Sequence, residues 1–405
     1  MDPISRFVKL KDEVLFTGRV GLLCNQVSFQ ITSGLYLFQI LKERGSLKRI
    51  FIPEHGLFGE LQDQVPLSNT GIYSEITGDV SCVSLYGRTE DTLTVEPEFL
   101  RDLDALVVDI QDVGSRYYTF ATTFSYILDV LSDHSIGITV YVIDRINPSG
   151  RQIEGTLLDG SRTSFVGREG LPHRHGLTIG ELANFYKNQN GGNFDLKVIK
   201  LSPEEISVMN GIHNGKQTSH TIMESWFIPP SPNMPTKFTP LLYSGQCLLE
   251  GTNLSEGRGT TRPFEIFGAP FLKNCFSIAD KLSCEGARLR PLKYIPAFHK
   301  HSGSICNGFQ IHVTGEKYHS LLHTMDILRY FRDSESDFKF LKGVYEYRSD
   351  LPAIELLAGD EDIVSYLYGN SSRKYIIEKL ESEEKKWILI ARDFNLYSDG
   401  DFFQV

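Results

Sequence analysis

In FIPEHGLFGE, residues 51–60, Glu54 and His55 stand between a short apolar run and two glycines. At the end of a buried strand, Glu54 is a candidate general acid or base; in an ordinary turn it is only a polar edge. Similar groups recur along the chain. DIQDVGSRYYTF (109–120) offers Gln111, Asp112, Arg116 and Tyr117, with Gly114 allowing a close backbone approach. EGTNLSEGRGTTRPFE (250–265) offers Asn253, Glu256, Arg258 and Arg262 on a glycine-interrupted loop. Carboxylates, amides, guanidinium groups and phenols of this kind hydrogen-bond hydroxyl-rich ligands, move protons and grip carboxylates. A plainer reading stands beside this one: Asp112 caps the following helix and pairs with Arg116, and Glu256 and Arg258 form a surface ion pair of little worth.

The elements that must position these groups are short apolar runs: VGLLCNQ (20–26), RIFIPEHG (49–56), VSLYG (83–87), ALVVDIQDVG (105–114) and ITVYVIDRINPSG (138–150). Each begins apolar and ends polar or glycine-rich, and the spacers are long enough for helices. Continuous Val/Ile/Leu runs mark strands buried on both faces, and ligands bind beyond the carboxyl ends of such parallel strands. The pattern predicts an α/β fold with a largely parallel sheet. Asn25, Glu54, Tyr86, Gln111, Asp112, Asp144 and Arg145 should share its rim. Thr178…Glu181 and Ser202…Glu205 read as helix capping boxes, with Pro203 at a first helical position. SWFIPPSPNMPT (225–236) is too punctuated for a helix or central strand and reads as a rigid loop presenting Asn233. The pattern turns to mixed helix and strand near 270–280. That places a larger α/β domain over 1–272 and a smaller α+β domain over 273–405.

Several function classes are excluded. No GxGxxG follows the first run, no phosphate loop or GxSxG elbow occurs, and the six cysteines form no CxxC pair. His173 and His175 in PHRHG lack metal-ligand spacing; His175 is also counted among the candidate substrate contacts. Neither a nucleotide nor a metal cofactor is expected. The net charge of −10 disfavours nucleic acid and anionic membranes as partners. No apolar stretch reaches the roughly 18 residues of a membrane span. The opening MDPISRFVKLKDEVLFTG lacks a signal-peptide core, so the chain as written is expected in the cytoplasm, or in the periplasm or medium if a leader has been removed.

Seven segments in order, PEHGLFGE, SLYG, DIQDVGSRYYTF, DRINPSGR, RHGLTIGELA, PPSPNMPT and EGTNLSEGRGTTRPFEIFGAP, resemble the exo-acting β-N-acetylmuramidases of the NamZ type. The likeness runs from about residue 18 to the C-terminus. It implies a Rossmann-like N-terminal domain without a nucleotide, a smaller C-terminal domain and a cleft between them. It also implies release of N-acetylmuramic acid from the non-reducing ends of peptidoglycan fragments. The glutamate of the family's EHG segment falls on Glu54, the expected essential carboxylate, with His55 orienting it or touching substrate and Phe58 as the apolar neighbour that desolvates it. Where the family more often reads EHGFRG, this chain has Leu57 and Phe58. Asp112 and Glu256 are the candidates for a second carboxylate. Arg258, then Arg116, Arg145 and Arg262, are the candidates to read the lactyl carboxylate that separates muramic acid from glucosamine. A non-catalytic sugar- or muropeptide-binding protein using the same rim is the alternative, followed by an enzyme of other chemistry.

Overall fold

The computed structural model describes residues 2–213, 228–315 and 318–397, with side chains omitted at 211–213. In chain order its first strands are β1 (Val20–Cys24), the paired two-residue strands β2 (Phe29–Gln30) and β3 (Leu35–Tyr36), then β4 (Leu47–Ile52), β5 (Ser81–Ser84), β6 (Ala105–Asp109), β7 (Thr139–Ile143) and β8 (Asp195–Ile199). Six of them form a sheet in the order β5-β4-β1-β6-β7-β8, every neighbouring pair parallel. The expected α/β class is the one observed.

The alternation of side chains across a strand explains why these runs are continuously apolar. Leu23, Phe51, Leu106, Val108 and Val140 face one core, together with Phe120, Phe124 and Leu128 of the helix Thr119–Asp133. Leu22, Ile50, Ile52, Val107 and Tyr141 face the other, against Ile4 and Phe7 of Pro3–Val8 and Phe38 and Leu41 of Leu37–Glu43.

Strand order reverses between β1 and β6, where a doubly wound sheet ordinarily opens a ligand crevice. Here the crevice is filled. Asn25 Nδ2 donates to the Pro230 carbonyl at 3.1 Å, and Gln26 Nε2 donates to the Pro229 and Pro230 carbonyls, each at 2.9 Å. Beneath them the fully buried Asp109 accepts from Ser28 Oγ at 2.6 Å and Arg145 Nε at 2.8 Å. The loop of residues 228–236 is therefore tied to the sheet; residues 225–227 of the proline-rich segment lie outside the described residues.

A second, antiparallel sheet, ordered β10-β11-β9, is built from β9 (Ile266–Ala269), β10 (Ala287–Tyr294) and β11 (Cys306–Val313). Gly268 faces Gly308 across it, and a Cβ on Gly308 would lie 2.0 Å from the Phe267 carbonyl oxygen, so neither position has room for a side chain. Helices Cys275–Leu282, Ser320–Ser334 and Arg373–Arg392 complete this part. The apolar core is continuous from Phe120 and Tyr117 through Tyr243 and Phe264 to Leu321, Leu357 and Trp387. Polar ties cross the same region. Trp387 Nε1 donates to the His175 carbonyl at 2.8 Å, and Glu384 accepts from Gly155 N at 2.7 Å and meets His319 Nε2 at 2.9 Å. Both capping boxes form, Thr178 with Glu181 and Ser202 with Glu205. Among the described residues no helix is long and apolar enough to cross a membrane.

His319 links this junction to pH. Burial works against its charge, but the carboxylates of Glu384 and Glu154 outweigh that and raise it from its ordinary 6.5 to about 9. Because the folded value lies above the unfolded one, the stabilisation is fully present below pH 6.5 and is lost as pH rises through about 9. Urea midpoints should therefore fall over that window in the wild type, and His319→Gln should remove this component of the fall.

Candidate active site

β4 ends at Ile52, and the chain turns back through Glu54, His55 (φ 75°) and Gly56 (φ 87°). A left-handed backbone is unusual for histidine, and it is held by a closed loop: Leu61 N donates to the His55 carbonyl at 3.0 Å while His55 Nδ1 meets the Leu61 carbonyl at 3.1 Å. The loop returns at Gln64, whose backbone N–H donates to Glu54 Oε1 at 3.2 Å. Thr119 Oγ1, on the first residue of helix Thr119–Asp133, donates to Glu54 Oε2 at 2.7 Å. Glu54 is only 5% exposed, and each of its oxygens accepts a hydrogen bond. Phe58 is not the neighbour that desolvates it, because its ring packs against Tyr36 and Tyr73 on the other side of the loop.

Glu54 and His55 open into a cleft of ≈ 450 Å³. One wall is aromatic, with Tyr117, Tyr118, Tyr243 and Phe264; Ser231, Asn233 and Met234 come from the proline-rich loop, and Tyr345 and Glu346 from the C-terminal part. Three further carboxyl groups line it besides Glu54: Asp63, Glu250 and Glu346. Against them stands one guanidinium, Arg258, which lies over the Phe264 ring at 5.0 Å. Its Nη1 meets Asp63 at 2.8 Å, its Nη2 Glu250 at 2.6 Å and its Nε Glu256 at 3.3 Å.

The carboxyls differ in what surrounds them. Burial pushes Asp63 above the ordinary carboxylate range, although Arg258 opposes the shift. Glu346 is pushed well above that range by burial and then by the charges of Glu54, Glu250 and Asp63. Glu256 goes the other way: burial alone would raise it, but Lys300 at 3.0 Å, His299 at 2.9 Å and Arg258 hold it well below.

Of the expected site residues, Glu54, His55, Tyr117, Asn233 and Arg258 line the cleft; of the expected strand-end rim, Glu54 alone reaches its lining. The other candidates lie in the framework and not in the cleft. Asp112 accepts from Gly114 N at 2.6 Å and lies 3.3 Å from the buried His175, whose Nδ1 accepts from Leu177 N. Glu256 is sealed beneath Arg258 by its three cations. Gln111 donates to the Asp112 and Ile146 carbonyls, and Asn25 to the plugging loop. Arg116 does not pair with Asp112; it donates to the carbonyls of Thr156, Leu171, Leu357 and Ala358, joining the C-terminal helices to the sheet. Arg145 is spent on Asp109, Asn253 bridges to the backbone of Asp337 and Lys339, and the half-exposed Arg262 pairs with Glu265. A strand-end position was the signal for most of these, but the filled crevice between β1 and β6 converts strand ends there into anchors.

The lining residues that the sequence did not single out include Asp63, Gln64, Glu250, Tyr345 and Glu346. Glu250 opens the quoted EGTNLSEG segment, and its place before a glycine is a usable signal. Glu346 carries none. It sits in a tight turn closed by the mutual backbone bonds of Tyr345 and Arg348, both 2.9 Å, with φ 44° at Glu346 and 69° at Tyr347, where sequence reasoning looks for Asn-Gly.

A family model described as exo-beta-N-acetylmuramidase NamZ, N-terminal, matches residues 20–238, and the corresponding C-terminal model matches 241–397. The peptidoglycan beta-N-acetylmuramidase NamZ of Bacillus subtilis (strain 168) is 34% identical over 388 residues, which cover 94% of this chain and 87% of that protein. Two solved structures of DUF1343 family proteins from Bacteroides fragilis NCTC 9343 share the fold. The first has a TM-score of 0.75 at 23% identity, covering 98% of this chain and 97% of its own. The second has a TM-score of 0.69 at 24% identity, covering 96% and 97%. Matched through both its N-terminal and its C-terminal parts, the chain belongs to the NamZ family of exo-β-N-acetylmuramidases, which are glycosidases.

Proposed function

We propose that this protein hydrolyses the β-glycosidic bond of N-acetylmuramic acid at the non-reducing end of peptidoglycan fragments, with Glu54 as the essential acid/base. The observation that supports the reading is the setting of Glu54: a buried carboxylate with both oxygens hydrogen-bonded, lining a cleft with three further carboxyl groups. Glycoside hydrolysis asks for carboxyl groups about a glycosidic bond, and the cleft supplies carboxyl groups beside aromatic side chains. Residues 1–272 carry the reaction in this reading, and 273–405 close the cleft through Tyr345 and Glu346.

The lactyl carboxylate of muramic acid needs a cation. Arg258 is proposed to supply it, supported by its being the guanidinium among the lining residues, while Arg116, Arg145 and Arg262 are engaged elsewhere. A bound lactyl group has to displace one of Arg258's partners. Asp63 is the one that yields, because burial already disfavours its charge.

Glu54→Gln should lower turnover of a chromogenic N-acetylmuramic acid β-glycoside by about 10³-fold or more with an unchanged urea midpoint, because the amide keeps the shape but exchanges no proton. Turnover like the wild type in the folded variant would overturn the assignment. A binding protein, by contrast, would hold the sugar without turning it over and would be indifferent to the change. Arg258→Met should cost about 3–5 kcal/mol of stability by leaving buried carboxylates unpaired. Assayed in the cold where it remains folded, it should also lose about 2–5 kcal/mol of preference for the muramic over the glucosamine substrate in kcat/KM. Arg262→Met, whose pair is half exposed, should change stability by less than about 1 kcal/mol and leave the preference as it is.

A further inference from the structure

We propose that Glu346 is the second carboxyl group of the reaction, the one that gives its proton to the leaving glycosidic oxygen. The proposal rests on the glycosidase reading above and assigns a role that the sequence had offered to Asp112 or Glu256.

Geometry singles Glu346 out in three ways. It reaches the cleft from the C-terminal part, whereas Glu54 comes from the end of β4. Gln64 adjoins both: its backbone N–H donates to Glu54, and its side chain, also on the cleft lining, opposes the upward shift of Glu346. The remaining carboxyls of the cleft, Asp63 and Glu250, are taken up by Arg258 at 2.8 and 2.6 Å, and among the described residues no cation pairs with Glu346.

The backbone gives independent support. Glu346 and Tyr347 both occupy the left-handed region, which is costly for any residue but glycine. The turn keeps this conformation because its flanks are pinned. Tyr345 donates its hydroxyl to Glu250 at 2.5 Å, Tyr347 donates its own to the Gly87 carbonyl at 2.9 Å, and Arg348 donates to the Thr163 carbonyl at 2.6 Å. Among the described residues, the hydrogen bond to the carboxyl of Glu346, at the tip, is a long one from the Tyr86 hydroxyl, 3.4 Å. A strained turn anchored on every side but its carboxyl presents that carboxyl to the cleft.

The groups facing it are Glu54, Glu250, Asp63, Tyr86 and Tyr347, with Arg258 already shared by three carboxylates. In such company the carboxyl holds its proton above the usual range, as a proton donor must near neutrality. Glu346 passes that proton to the glycosidic oxygen as the bond to the anomeric carbon breaks, and the bonding pair stays on the leaving oxygen. Over the whole reaction the anomeric carbon gains a water oxygen. The water's proton goes to Glu54, and exchange with solvent then removes it from Glu54 and returns one to Glu346, so both groups end as they began.

The test compares two leaving groups in the full chain: 2,4-dinitrophenyl β-N-acetylmuramide, whose phenolate leaves unaided, and the disaccharide of N-acetylmuramic acid with N-acetylglucosamine, whose alcohol needs a proton. Glu346→Gln should lose about 10²–10⁴-fold in kcat/KM on the disaccharide but less than about 10-fold on the dinitrophenyl sugar, and the alkaline fall of the pH profile should disappear. Glu346→Asn, whose side chain tolerates the left-handed backbone, should give the same split and guards against misfolding of the first variant. Equal losses on both substrates, or an undiminished rate on the disaccharide, overturn the proposal. The underlying reading fails differently. A wild type that hydrolyses neither muramic substrate overturns both, whereas activity retained in Glu54→Gln beside the split in Glu346→Gln removes Glu54 and keeps Glu346.

Discussion

The guanidinium of Arg258 is shared by Asp63 from the loop after β4, Glu250 from the turn Cys247–Gly251 and Glu256 from its own loop, and the cleft exists because these three segments converge on it. Buried carboxylates repel one another strongly in a poorly solvated interior. One delocalised charge with a planar fork of donors lets several approach without each needing its own cation. Lys300 and His299 take the excess on Glu256, which fixes the base of the arrangement. Of the four carboxyls on the cleft lining, Glu54 and Glu346 are the two that, among the described residues, no cation pairs with.

The glycines around Arg258 serve this convergence by close approach. Gly257 and Gly259 have φ of 82° and 78°, and a Cβ on Gly259 would come within 2.6 Å of the Phe298 carbonyl oxygen, while one on Gly257 would come within 2.7 Å of the Ile266 carbonyl oxygen. A loop that reads as pliant in the sequence is clamped in the structure between the 294–304 connection and β9.

The parallel sheet was legible because doubly buried strands leave continuous apolar runs, and Glu54 because its run stops in a polar, glycine-rich turn at the rim. Asn233 and Arg258 were legible through proline and glycine punctuation. Gln111, Asp112, Arg116 and Arg145 share the same strand-end pattern, yet a rim position does not say whether a side chain meets solvent or another loop. Partners elsewhere in the fold decide that: the Ile146 carbonyl for Gln111, His175 for Asp112, the carbonyls of Thr156, Leu171, Leu357 and Ala358 for Arg116, and Asp109 for Arg145. Glu346 was hidden for a local reason: its turn is stabilised by distant partners, Glu250, Gly87 and Thr163, instead of by turn-forming residues of its own.

The proline-rich loop that fills the crevice between β1 and β6 also bears Ser231, Asn233 and Met234 of the cleft wall. The bonds that hold it join residues 205, 203 and 204 positions apart in the chain. Contacts of such separation form only after the chain entropy between them has been surrendered, so the sheet must be in place before the loop has anything to dock on. Ser231, Asn233 and Met234 of the cleft wall are thus held in place by a docking that itself needs the ends of the sheet, so a change that loosens Asn25 or Gln26 reaches the cleft without touching it.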